Sequence, residues 1–178
     1  MPYGCLDSQT LSEASLKAME KALDWRQKSM QTSRHKTFLL LASYEEDSGL
    51  ELRLRREILS RSLPDDEFSS NVIEIRAKDE EDLAHRITRT RDLLPIETIT
   101  VFAESCHALS TRPIFKRKFG KALEIKKFKA DFEFNHPWIS TSSSLSWFFW
   151  NMILKVRFEL RQRMGRKFRK KLRSLFWS

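Results

Sequence analysis

The sequence predicts an α/β fold: a mostly parallel sheet of three to five strands with helices on both faces. Three observations carry this. Helical and strand-like segments alternate along the chain with short links, which calls for right-handed crossover connections. The run KTFLLLAS at 36–43 is apolar without alternation, as in a parallel strand buried on both faces. Only four Gly and five Pro occur in 178 residues, so long regular elements dominate.

The elements follow in order. Thr10-Leu11-Ser12-Glu13 reads as a capping box, and Leu16, Met19 and Leu23 continue it as a helix over 12–30. Residues 36–43 form the first visible strand. Leu50, Leu54 and Ile58 share one face of a helix over 49–61, broken by Pro64-Asp65-Asp66. Val72, Ile73 and Ile75 mark a strand over 71–75. Residues 79–94 form a helix with four acids, Asp79 to Asp82, in its first turn, where they complement the helix dipole, and Pro95 ends it. ETITVFA at 97–103 is the clearest strand. Ser110 and Thr111 are placed to cap a helix from Pro113 to Phe119, closed by Gly120. A strand over 122–128 and a polar loop over 131–144 follow. Trp150, Ile153, Leu160, Met164, Phe168 and Leu172 then fall on one helical stripe, expected to face inward up to Leu160.

Charge is unevenly placed. From Asn151 to Ser178 ten Lys/Arg face one acid, Glu159, whereas residues 1–150 hold 23 of each sign. Hydrophobic content of 40% marks a folded chain rather than a disordered one. Two cysteines, Cys5 and Cys106, are too few for a disulfide framework and read as unpaired thiols. No run of about 18 apolar residues is present for a membrane span, and residues 1–11 lack the pattern of a signal peptide. The expected location is therefore the cytoplasm or the periphery of an inner membrane.

Leu11-Ser12-Glu13-Ala14-Ser15, Leu41-Ala42-Ser43, the Glu74 to Ala84 stretch, Val101 to His107, Trp138 and the Trp147 to Asn151 stretch together resemble the YdcF-like family. The similarity spans about residues 2–163. It implies a Rossmann-like three-layer domain, a nucleotide-like small molecule as the ligand class, and a role at the bacterial envelope. The chain departs from the family pattern in places. Tyr44-Glu45-Glu46 stands where a Gly-rich turn belongs, and the family's Thr, Glu and Asn on the acidic helix fall on Glu80, Asp82 and Leu83. The Arg expected three residues after His107 is Ser110, with Arg112 two residues later. The family's first strand would precede Leu11. The expectation is thus a sheet lacking that strand, with three or four strands and an open edge beside residues 37–43.

In a parallel sheet the site lies outside the carboxyl ends of the strands. Ser43, Glu74, Glu104 and His107 fall at predicted strand ends, Glu80 opens the next helix, and Arg112 lies nearby. They are candidate ligand contacts, His107 as general base or phosphate contact and Arg112 as anion clamp. Polar residues also line such loops without any ligand, and the missing glycines remove a phosphate-cradling turn. Cys106 beside His107 reads as an inert thiol, because chain neighbours rarely point at each other. Glu81 and His85, four apart, read as a surface ion pair rather than a metal site. No residue set for catalysis, cofactor or metal emerges.

The division expected is a domain over 1–144, a closing helix over 145–164 and a basic amphipathic extension over 165–178. Arg161, Arg163, Arg166, Lys167, Arg169, Lys170, Lys171 and Arg173, with Trp177 as an interfacial anchor, suit an anionic membrane surface. The same charges suit nucleic acid, but no recognition motif accompanies them. A solvated basic face is the remaining alternative. The favoured function is a non-catalytic or weakly ligand-binding envelope protein, with a strand-end ligand binder or enzyme as the alternative.

Overall fold

The computed structural model describes residues 9–32, 36–44, 49–94, 96–130 and 143–163. Its order is α1 (Glu13–Thr32), β1 (Leu39–Tyr44), α2 (Leu50–Ser62), α3 (Asp65–Asn71), β2 (Val72–Ala77), α4 (Glu80–Leu93), β3 (Ile99–Glu104), α5 (His107–Phe119), a 3₁₀ turn (Gly120–Ala122), β4 (Leu123–Phe128) and α6 (Ser144–Arg163). The protein is α/β, as its alternation of elements predicts.

Among the described residues the strands form two parallel pairs. β1 runs beside β2 from Leu39 opposite Val72 to Tyr44 opposite Ala77. β3 runs beside β4 from Ile99 opposite Leu123 to Glu104 opposite Phe128. Among the described residues no ladder joins the pairs.

β1 explains its own apolar run. Leu40 and Ala42 pack against a core of Ile75, Ala77, Ile87, Ile99, Phe115 and Phe158. Leu39 and Leu41 face a second core with Leu11, Met19, Leu52 and Leu59. Both faces of the strand are covered, so no polar alternation survives. The second core is braced by Arg26, which reaches the Thr37 carbonyl and pairs with Glu67. α1 also meets the other strand pair, where Trp25 packs edge-on to Phe102 and under the Lys126 ammonium.

Four local expectations are corrected. Pro64 ends α2, but Asp65, Asp66 and Glu67 form the first turn of a further helix, α3, where their charges suit the N-terminus. α5 begins at His107, six residues before Pro113, which lies inside it. Ser110 and Thr111 are therefore not caps; the Thr111 hydroxyl donates back to the His107 carbonyl, and the Ser110 hydroxyl lies 3.0 Å from the same oxygen. Glu81 pairs with Arg161 at 3.5 Å rather than with His85. The fourth correction concerns α6. Trp150, Ile153 and Leu160, expected inward, are 42, 57 and 52% exposed. The buried face is Trp147, Asn151 and Phe158 instead.

At α4 three of the four acids, Glu80 to Asp82, fill the first turn as expected, and Asp79 stands before it. Asp79 caps the helix by accepting from the Asp82 N–H at 2.8 Å. Asp82 in turn accepts from the Lys78 N–H at 3.0 Å and from Arg86 at 2.8 Å. The Lys78 N–H and the Arg86 charge hold the Asp82 carboxyl below the usual range, against a smaller opposing effect of burial. Leu94 closes the helix in extended conformation, as the residue before a proline prefers. Gly49 precedes α2 at φ 81°, in the left-handed region that favours glycine. Among the described residues no helix is long and apolar enough to cross a membrane.

Candidate strand-end site

β3 delivers Glu104 at its carboxyl end, and two residues later the chain turns into α5. The first N–H groups of a helix have no intrahelical acceptor and attract anions. Here the anion is Glu104 itself. Its carboxylate accepts from the Cys106 N–H at 2.8 and 2.9 Å and from the His107 N–H at 2.9 Å. A third donor comes from across the chain, the Trp147 indole Nε1–H at 3.0 Å. Glu104 is 6% exposed, so this carboxylate is buried and is held by N–H donors. Such charge-assisted bonds to backbone N–H are stronger than neutral ones.

α6 supports this end of the sheet from outside. The Trp147 indole stacks on the His107 ring, centroids 6.1 Å apart and planes 19° from parallel. One turn on, Asn151 is fully buried: its amide donates to the Trp147 carbonyl at 2.9 Å, and its oxygen accepts from the Ser110 hydroxyl at 2.8 Å. Burial, with the neighbouring Glu104 charge adding to it, pushes the Cys106 thiol above its ordinary value. A raised value disfavours the thiolate, the form in which a cysteine attacks as a nucleophile.

β1 ends in a second buried polar cluster. Ser12 caps α1 at the Ser15 N–H, 3.2 Å away. The Ser15 hydroxyl donates to Glu51 at 3.0 Å and accepts from Arg55 at 2.6 Å. Arg55 pairs with Glu51 and reaches the Ala42 carbonyl of β1 at 2.6 Å. Both strand pairs thus carry a buried glutamate beside a helix start.

The predicted site residues divide accordingly. Glu104 and His107 are brought together, through the His107 backbone N–H. Ser43 is buried at the end of β1, its hydroxyl without a partner among the described residues. Glu74 is corrected: it lies in the middle of β2, exposed, 3.5 Å from Arg56, because the strand runs on to Ala77 and its alternation turns Glu74 outward. Glu80 lies half-buried in the first turn of α4, and Arg112 is exposed on α5. Among the described residues no hydrogen bond or ion pair joins Ser43, Glu74, Glu80 or Arg112 to the Glu104 carboxylate. Of the predicted membrane contacts, Arg161 pairs with Glu81. The residues from Arg166 to Trp177, and the side chain of Arg163, lie outside the described residues, as does Cys5. Among the described residues no group of three or more His, Cys, Asp or Glu is placed to hold a metal. Sequence reading missed Trp147 as a hydrogen-bond donor and Asn151 as a buried link. The one signal was a polar Asn four residues after a Trp inside the otherwise apolar run 147–154.

Compared with known proteins, the chain matches no family model, no curated protein and no solved structure.

Proposed function

We propose that the chain is a divergent, non-catalytic protein of the YdcF-like pattern, held at an anionic membrane surface of the bacterial envelope by its basic C-terminal segment. The domain is read as a Rossmann-like three-layer arrangement in which the two strand pairs are parts of one layer. The observation that carries the functional reading is the Glu104 carboxylate. It occupies the start of α5, where a phosphate or carboxylate of a ligand would otherwise sit, and takes the N–H groups of Cys106 and His107 that would bind one. A second anion there would meet a buried negative charge. The surplus of ten Lys/Arg over one acid after residue 150 supports the membrane part.

Two measurements test this. Nucleotides and S-adenosylmethionine should leave the melting temperature unchanged. A rise of about 5 °C or more at saturating ligand, lost in His107→Ala or Arg112→Ala, would establish the ligand-binding alternative instead. Removal of residues 165–178 should leave the fold intact and weaken binding to anionic vesicles by more than tenfold, and salt should weaken binding of the full chain. Equal binding with and without that segment would refute its role.

A further inference from the structure

The side of α6 turned away from the body is apolar along its length. Leu145, Phe149, Ile153, Val156 and Leu160 recur at spacings of four, four, three and four, and are 64, 55, 57, 48 and 52% exposed. They make one stripe of about 22 Å at 1.5 Å per residue. The opposite side is fixed, through Trp147 to Glu104 and Asn151 to Ser110. The stripe is therefore presented by a helix already docked, without an ordering cost on binding.

A second feature lies on the elements next to it. α6 packs against α5, and α5 packs against β4. Between residues 112 and 129 there are eight Lys/Arg and one acid, Glu124. Lys116, Arg117, Lys118, Lys121, Lys127 and Lys129 are all exposed. Residues 1–111, by contrast, hold fifteen Lys/Arg and twenty Asp/Glu. The charge asymmetry of the chain begins inside the folded body.

An exposed apolar helix face beside a dense cationic surface needs a partner that is both apolar and anionic. Nucleic acid supplies the charge but leaves the Leu, Ile and Val side chains unmatched. A second copy would cover the stripe but bring two cationic α5–β4 regions toward each other. We propose that the occupant is an anionic lipid bilayer: α6 lies in the interface with its outer face among the acyl chains, and the cations of α5 and β4 meet the headgroup phosphates. The proposal rests on the membrane-surface reading above and deepens it by placing contact on the body rather than the C-terminal segment alone.

The test uses the full chain, co-sedimented with vesicles containing about one-third anionic lipid and with zwitterionic vesicles. The parent should bind the former. Phe149→Ser with Ile153→Ser should weaken binding at least tenfold while circular dichroism and melting stay unchanged. Lys116→Glu with Arg117→Glu and Lys121→Glu should weaken it similarly and flatten its salt dependence. If both variants bind as the parent does while removal of 165–178 abolishes binding, the body is not the contact and only the C-terminal reading stands. If the parent binds no vesicles, both readings fall. If the Phe149/Ile153 variant alters sedimentation velocity but not vesicle binding, the stripe is an interface between copies and the proposal is wrong. Binding of single-stranded RNA in place of vesicles would overturn it as well.

Discussion

The two sides of α6 differ in how they are satisfied. On the inner side the polar atoms of Trp147 and Asn151 each meet a defined partner, and Phe158 enters the core of β2, β3, α4 and α5. On the outer side Phe149, Ile153 and Leu160 are as apolar as any core residue, yet half-exposed. Apolarity does not distinguish the sides; hydrogen-bond partners do. The inner side is fixed by directional bonds that only one orientation of the helix can make. The outer side is left as a surface whose chemistry suits a bilayer.

Substitutions on each side should separate the two roles. The largest effect is expected from Trp147→Ala, which empties a buried aromatic site and leaves Glu104 short of a donor. The cost is about 3–5 kcal/mol, seen as a fall of roughly 10 °C in melting temperature. Glu104→Ala should follow at about 2–3 kcal/mol, since the Cys106 and His107 N–H groups and the Trp147 indole lose their common acceptor. Urea unfolding of each variant measures both. Should Glu104→Ala instead raise stability and admit nucleotides or inorganic phosphate, the start of α5 would be a ligand site that the glutamate merely guards.

A smaller effect is expected at Cys106. Burial first, and the Glu104 charge second, raise its thiol value. In a Cys5→Ser chain, iodoacetamide should label Cys106 more slowly than a free cysteine at pH 8.5, and faster once Glu104→Gln removes the charge. The sign for stability follows: the thiolate is disfavoured in the fold, so this contribution is intact below the unfolded value of about 8.5 and declines as pH rises through the higher folded value. The smallest effect on stability belongs to the outer side, where Phe149→Ser should change it by no more than about 0.5 kcal/mol.

Much of the fold was legible because local chemistry and tertiary position agree. KTFLLLAS has one solution, a strand covered on both faces, and the acids Glu80 to Asp82 suit the first turn of α4. Legibility failed where one residue type serves two purposes. Pro113 fits the first turn of a helix, but α5 had already begun at His107, because Glu104 supplies acceptors for its start from the preceding strand. Asp65 and Asp66 suit a break and a helix start equally. In α6 two apolar stripes compete, and spacing alone favours the longer one, through Trp150, Ile153 and Leu160, which faces outward. At the site, Glu104 and His107 were visible from their place at a strand end. The donor that completes the cluster, Trp147, lies 43 residues further on, and no local pattern links it to Glu104. Glu74 was misplaced by two residues at the end of β2, enough to turn a strand-end ligand contact into a mid-strand surface residue beside Arg56.

The claim that the outer side of α6 is the working surface has a direct measurement. In a chain carrying Cys5→Ser, Cys106→Ser and Ile153→Cys, an environment-sensitive fluorophore attached at position 153 reports the polarity around the stripe. Addition of anionic vesicles should shift its emission to the blue and raise its intensity, while zwitterionic vesicles should leave it unchanged. Emission that stays at its aqueous position while the labelled protein co-sediments with the anionic vesicles would contradict the account.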